Sequence, residues 1–242
     1  MSAPLLEVNG VSKRFGGFTA LDNVTVAIRP GERFGLIGPN GSGKTTLINC
    51  ISGALRNDGG AILFEGRDIS GLPAFLRTRR GIARSFQVPR PFRSMTVLEN
   101  LLVALDYAVE GHGLGVAASE AEVLAILQKI GLAAKARTSA AQLSQVELRK
   151  MELARALAAR PKLLISDEAM AGLAGAEIDE VLELLVRLND EGITIIMIEH
   201  IMQAVMRFSQ RVMCLDAGRV ICEGTPEQVM ADRGVQEAYL GA

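Results

Sequence analysis

At 242 residues with 49% hydrophobic side chains, the chain can bury a sizeable core and fits one large domain or a domain carrying an insertion. Its 26 basic and 27 acidic residues leave a net charge of −1, so no overall field draws it to nucleic acid or to an anionic membrane surface. Its most apolar runs, such as Ile193 to Ile198, fall far short of the roughly 20 residues that a bilayer-spanning helix needs.

From the N-terminus, Met1 to Asn9 shows no basic stretch followed by an apolar one, so no secretory signal is expected. Leu5 to Val8 and Val24 to Ile28 read as strands, the second alternating and stopped by Pro30-Gly31. Between them, Ser12 to Phe18 reads as a loop carrying Phe15, in a chain with only 4% aromatics and no Trp. On position alone, such an aromatic is a plug for the core before it is a platform for a purine.

Phe34 to Ile37 is a short apolar strand, Gly38-Pro39-Asn40-Gly41-Ser42-Gly43-Lys44-Thr45 a glycine-rich loop, and Thr46 to Ser52 a helical segment with Leu47, Ile48 and Ile51 on one face. Gly38, Gly43, Lys44 and Thr45 meet the GxxxxGK[ST] spacing of a phosphate-binding loop, in the strand-to-helix context that the motif requires. Glycines let successive N–H groups turn toward one anion, and the helix N-terminus adds partial positive charge. Lys44 can then reach β- and γ-phosphates, and the Thr45 hydroxyl is small enough to sit on a bridging Mg²⁺. The stretch predicts a nucleoside triphosphate ligand.

Ala61 to Glu65 is the next strand, turned by Asn57 to Gly60. Arg77, Arg79, Arg80 and Arg84 form the densest basic cluster and read as a solvated face. Gly81 to Gln87 is a strand that stops at Val88-Pro89-Arg90-Pro91, and from Thr96 to Met151 the period becomes helical. Val97, Leu98, Leu101, Leu102 and Leu105 mark one helix; Val123, Leu124, Leu127 and Ile130 mark another, with Gly111 to Gly115 as the loop between. Residues 88–159 therefore read as a helical insertion into an α/β domain whose nucleotide-binding core comprises 1–87 and 160–242.

Leu163 to Glu168 is an apolar strand ending in two carboxylates. In a phosphate-loop architecture such a strand lies beside the loop's own strand, so Asp167 can serve Mg²⁺ while Glu168 faces the water that attacks the γ-phosphate. Glu177 to Asn189 is an amphipathic helix, and Ile193 to Ile198 suits a central parallel strand ending in Glu199-His200. An imidazole at that strand end can hydrogen-bond a γ-phosphate. Val212 to Leu215 and Arg219 to Cys222 form a hairpin around Asp216-Ala217-Gly218, and short helices close the chain at Pro226 to Met230 and Val235 to Leu240. Cys50, Cys214 and Cys222 lack ligand spacing and read as buried free thiols in a reducing compartment.

Gly38 to Thr45, Gln87, Leu143-Ser144, Ile165 to Glu168 and His200 resemble, in order and spacing, the nucleotide-binding subunit of an ABC transporter, and the likeness runs from Leu5 to Gly241. Two stretches are similar to the branched-chain amino acid importer ATPases of the LivG type: Ala83 to Gln87 with Phe92 to Asn100, and Val235 to Gly241. The resemblance implies a single cassette of the α/β class: a P-loop NTPase core with a parallel sheet, an N-terminal antiparallel β subdomain and an inserted α-helical subdomain. ATP and Mg²⁺ are the implied ligands. Phe15 would stack on adenine, reversing the plug reading; Gly38, Pro39, Asn40, Gly41, Ser42, Gly43, Lys44, Thr45 and Thr46 would hold phosphates. Thr45, Gln87 and Asp167 would serve the metal, Glu168 would be the general base, His200 would contact the γ-phosphate, and Gln87 would reach the attacking water. Ser144 would cover the ATP held by a second subunit.

The implied partners are integral-membrane permease subunits, a second ATP-binding subunit and, indirectly, an extracytoplasmic solute-binding protein, with no nucleic acid. The implied place is peripheral, on the cytoplasmic face of the membrane, powering uptake of branched-chain amino acids or a related small polar solute. Two alternatives accompany this reading: a weakly hydrolysing regulatory half of a heterodimer, and a soluble ABC ATPase, which tandem cassettes, coiled coils or basic arms would mark and which this chain lacks.

The likeness breaks at three positions. Val146 stands where the family has a glycine in the loop after Leu143-Ser144, Ala169 replaces the usual proline, and Ala174 replaces a polar residue. A β-branched residue in a glycine-only conformation costs about 1 to 3 kcal/mol, and loss of a preorganised transition-state donor about 2.7 to 4 kcal/mol. Because Val146 would damage the site whose P-loop belongs to the partner, a heterodimer with unequal sites is expected.

Overall fold

The computed structural model describes residues 3–86, 88–108 and 116–240. Strands β1 (Leu6–Phe15) and β2 (Phe18–Ile28) form a hairpin turned at Gly16-Gly17, where Gly16 has φ 58°. The expected loop from Ser12 to Phe18 is therefore strand apart from two residues. Register shifts at Val8/Val11, Val11/Lys13 and Lys13/Arg14 break the two-residue alternation, which hides the second half of β1 from a pattern reading.

Next come β3 (Arg33–Ile37), α1 (Lys44–Ser52), β4 (Gly59–Phe64), β5 (Arg67–Asp68), α2 (Ala74–Arg79) and β6 (Ile82–Ser85). Arg77 corrects the expected solvated face: it is 1% exposed. Its guanidinium donates to the carbonyls of Cys50 and Ile51 at the C-terminus of α1, and to those of Ser70 and Leu72. A cation is favourable at that helix end, where carbonyls lack partners and carry partial negative charge. Arg84 is also largely withdrawn from solvent, paired with Asp167.

Three helices follow, α3 (Val97–Ala108), α4 (Val116–Lys129) and α5 (Gln145–Ala158), then β7 (Leu163–Asp167), α6 (Gly175–Asp190) and β8 (Thr194–Ile198). The expected loop at Gly111 to Gly115 lies outside the described residues. Helix α7 (Met202–Phe208) has only seven residues, too few to announce a period. Strands β9 (Arg211–Asp216) and β10 (Arg219–Gly224) form the expected hairpin, with Ala217 and Gly218 at φ 44° and 80° as a two-residue turn. Helices α8 (Pro226–Ala231) and α9 (Arg233–Leu240) end the described chain.

The strands form two sheets: an antiparallel β2-β1-β4-β5 sheet, and a β10-β9-β3-β8-β7-β6 sheet that is parallel except for β10. Strand β8 is buried on both faces. Ile196 and Ile198 join Phe34, Leu47 and Ile51 on the side of α1 and the antiparallel sheet, while Ile195 and Met197 join Leu101, Met151 and Leu185 under the helices. Parallel pairing of β3, β8 and β7 brings their C-termini to one edge: Leu36 aligns with Ile198, and Asp167 with Ile198. In open α/β sheets this is the edge at which ligands bind. Of the cysteines, Cys50 and Cys214 are buried and free as expected, whereas Cys222 is free but half-buried.

Candidate functional site

The loop from Gly38 to Gly43 joins β3 to α1 at that edge. Two of its glycines are required by space as well as by backbone angle. A Cβ on Gly38, at φ 147°, would lie 2.1 Å from the Leu215 carbonyl oxygen, and one on Gly43, at φ 107°, 2.7 Å from that of Ala20. The loop is thus pressed against β9 and β2, with its N–H groups turned to the opposite side. Ser42 is 2% exposed, and its Oγ is buried with no hydrogen-bond partner among the described residues. Lys44 Nζ donates to the carbonyls of Gly38 (2.6 Å) and Pro39 (3.0 Å). Burial pushes the Lys44 ammonium's pKa down, against the attraction of Glu168 and Asp167.

At the end of β7, Asp167 is 6% exposed, and Arg84 Nη2 (2.5 Å) and Nε (3.2 Å) both donate to its Oδ2. Arg84 Nη1 also donates to Asn49 Oδ1 at 2.6 Å, so one guanidinium joins β6, β7 and α1. Glu168 sits at φ 47°, an uncommon angle for a residue with a side chain, with its N–H donating to the Ile198 carbonyl (2.9 Å). Strain of this kind, on the order of 1 to 3 kcal/mol, concentrates at functional sites. Glu168 Oε1 lies 3.0 Å from His200 Nε2.

Beneath this pair, Glu199 is 2% exposed and accepts a hydrogen bond from the Met170 N–H at 3.0 Å. Burial raises its pKa to about 7, helped by the nearby Glu168 charge and opposed by Arg149. Arg149 Nη2 in turn donates to the Ala171 carbonyl, tying α5 to the loop that follows Glu168.

These groups open onto a cleft of about 270 Å³ lined by Phe15, Phe18, Ala20, the loop from Asn40 to Thr46, Glu168 and His200. Gly38 and Pro39 form its floor through Lys44, and Asp167 sits behind Glu168. Phe15 is 48% exposed, which overturns the core-plug reading; its ring stands at the rim with Lys13 Nζ 5.6 Å from its centroid. Gln87 lies outside the described residues. Ser144 is not in the cleft: it heads α5, where its Oγ accepts from the Glu147 N–H and Glu147 Oε2 accepts from the Ser144 N–H. Val146 lies inside the first turn of α5 and is not among the residues with positive φ, so the expected backbone strain is absent. The helix start gives it an ordinary helical conformation, and its side chain packs against the apolar core.

Sequence reasoning missed Arg84 as a carboxylate partner, Glu199 as a buried acid, and Phe18 as a second rim aromatic. Arg84 did fall within one of the stretches that carried the resemblance. Among the described residues no group of three His, Cys, Asp or Glu side chains could hold a metal ion. The residues that fit a cation here are the exposed Thr45 hydroxyl and Asp167, which suits Mg²⁺, an ion that takes one or two protein ligands and fills its shell with phosphate oxygens and water.

Comparison with known proteins places this geometry. The family described as "ABC transporter" matches residues 21–171, and that described as "Branched-chain amino acid ATP-binding cassette transporter" matches residues 219–242. The high-affinity branched-chain amino acid transport ATP-binding protein LivG of Escherichia coli K12 is 42% identical across 100% of this chain and 99% of its own length. The corresponding protein BraF of Pseudomonas aeruginosa is 37% identical over the same shares. Among solved structures, the ADP conformation of the ATP-binding cassette MJ1267 superposes with a TM-score of 0.89 at 32% identity, covering 100% of both chains. The dimeric ADP- and phosphate-bound cassette MJ0796 gives 0.82 at 26% identity, covering 91% of this chain and 98% of that one.

Proposed function

The chain belongs to the ATP-binding cassettes of the ABC transporter family, and from that membership we propose that it powers import of branched-chain amino acids or a closely related small polar solute through a separate permease. It is an ATP hydrolase coupled to transport. The observation that carries the reading is the convergence of Lys44, Glu168 and His200 on one cleft, with Glu168 and His200 3.0 Å apart.

Asn40 to Thr46 wrap the phosphates, with the buried Ser42 hydroxyl supplying a further donor. Lys44 moves from the Gly38 and Pro39 carbonyls to the β- and γ-phosphates. Phe15 stacks on the adenine at the rim. Thr45, Asp167 and Gln87 hold Mg²⁺, which when bound neutralises charge on the β- and γ-oxygens. Glu168 takes the proton of the attacking water, while the water oxygen bonds to the γ-phosphorus and the bond to the bridging oxygen of ADP breaks. His200, held by Glu168, donates to the γ-phosphate as charge builds there. Replacing Glu168 by Gln keeps shape but removes the base: ATPase activity is expected to fall about 100-fold or more, with ATP still bound. Undiminished hydrolysis in that variant would overturn the assignment.

The partners follow from surfaces. An apolar groove of about 420 Å³, lined by Phe75, Phe86, Phe92, Val103, Tyr107 and Ala156, runs beside Gln87 between α2, α3 and α5 and suits a permease segment. Phe75 and Tyr107 there are 60% and 76% exposed. No helix among the described residues is long and apolar enough to cross a membrane, so attachment is peripheral, at the cytoplasmic face, through the permease. Residues 88–159 act as the inserted subdomain that carries most of this groove. A second cassette presents its own Leu-Ser loop to this chain's cleft, and Ser144 reaches the partner's nucleotide. That partner is a different chain: the Val146 side chain adds bulk at a loop that must approach phosphate closely, and Ala174 leaves α6 without a side-chain cap.

A further inference from the structure

Helix α9 lies at the far end of the chain, within the stretch that the branched-chain family matches, yet one of its residues reaches the phosphate loop. Gly38 N–H donates to Tyr239 Oη at 2.7 Å, across 201 residues of sequence. The helix is firmly seated. Val235 is 2% exposed and packs with Val229, Ile37, Val205 and Val212, and Asp232 Oδ1 accepts from the Val235 N–H to start the turn. Tyr239 follows Val235 by four residues, so both fall on one helical face.

Gly38 is therefore held from three directions. Its N–H is taken by Tyr239, its carbonyl by Lys44 Nζ, and the space where a Cβ would stand by the Leu215 carbonyl. Two of these restraints are permanent and one is not, because Lys44 must turn to the phosphates when nucleotide enters. We propose that Tyr239 is a positioning residue for nucleotide binding: the C-terminal helix latches the first glycine of the phosphate loop and keeps the loop in its binding geometry when Lys44 leaves the Gly38 carbonyl. The phenol suits the task, since burial pushes its pKa up to about 12 and the hydroxyl stays neutral across physiological pH. This inference rests on the ATP-binding reading above, deepening it at the same loop.

The test uses the full chain. Calorimetric titration of wild type, Tyr239→Phe and Lys44→Ala with Mg·ATP is expected to show about 3- to 10-fold weaker binding for Tyr239→Phe, the loss of one net hydrogen bond. Lys44→Ala is expected to lose binding almost entirely. Amide exchange at Gly38 in the nucleotide-free chain is expected to be at least about 5-fold faster in Tyr239→Phe, which shows the latch directly. Binding within twofold of wild type in Tyr239→Phe overturns the latch, and so does a lowered melting temperature with unchanged affinity, which would make the contact merely structural. Wild type and Lys44→Ala binding nucleotide equally poorly would instead overturn the functional reading on which the latch stands.

Discussion

Glu199 is the residue whose environment differs most from its place in the chain. It sits between a strand residue and His200, but its carboxyl is buried under the loop that follows Glu168, facing the Met170 N–H, the Glu168 carboxylate and the Arg149 guanidinium. Its pKa of about 7 in the folded chain lies above the ordinary 4.5, so the folded state binds this proton more tightly than the unfolded state does. Stability contributed at this site is thus intact below about pH 4.5 and is lost as pH rises toward 7, up to about 3 kcal/mol. Glu199→Gln removes the titration and keeps an acceptor for Met170. Urea denaturation at stepped pH should show wild type and variant alike near pH 4.5, with the variant progressively more stable above it. Parallel curves across that range would contradict the burial of an ionisable group here.

The elements around the site are joined by a few buried side chains. Arg77 is the clearest, donating to four carbonyls that belong to the end of α1 and to the segment between β5 and α2. Arg77→Met keeps much of the volume but removes every donor, leaving carbonyls buried and unpaired. A loss of about 3 to 5 kcal/mol is expected by chemical denaturation, against well under 1 kcal/mol for the exposed neighbour Arg80. Equal effects would show that the α1 terminus is held by something else. Helix α5 is set differently: the reciprocal Ser144–Glu147 cap starts it, and that start is what spares Val146 the left-handed backbone expected from the family pattern.

For the whole molecule, the decisive matter is which surfaces are completed by other chains. The cleft holds its own phosphate loop, base and histidine, but not Ser144, which lies at the head of α5. Closing a second cassette over the cleft supplies that loop from outside. If the partner is a different chain, mixing the two purified cassettes should raise ATPase activity at least about 10-fold over this chain alone, and Val146→Gly should raise the activity of this chain by itself. Hydrolysis by the isolated chain as fast as by the mixture would remove the case for unequal sites.

The phosphate loop was legible from residues alone because its chemistry lies in eight consecutive positions, where glycine spacing, a lysine and a helix start specify the backbone without help from distant chain. The strands ending in Asp167-Glu168 and Glu199-His200 were legible too, since strands buried on both faces announce themselves as continuous apolar runs. What adjacency in sequence does not encode was left to tertiary structure: Arg84 on Asp167, Glu199 under Met170, Tyr239 on Gly38, and the buried place of Arg77. Each is a contact between segments brought together by sheet order and helix docking. A long side chain near the surface in sequence terms becomes an interior ligand only when packing removes its alternative partner, water.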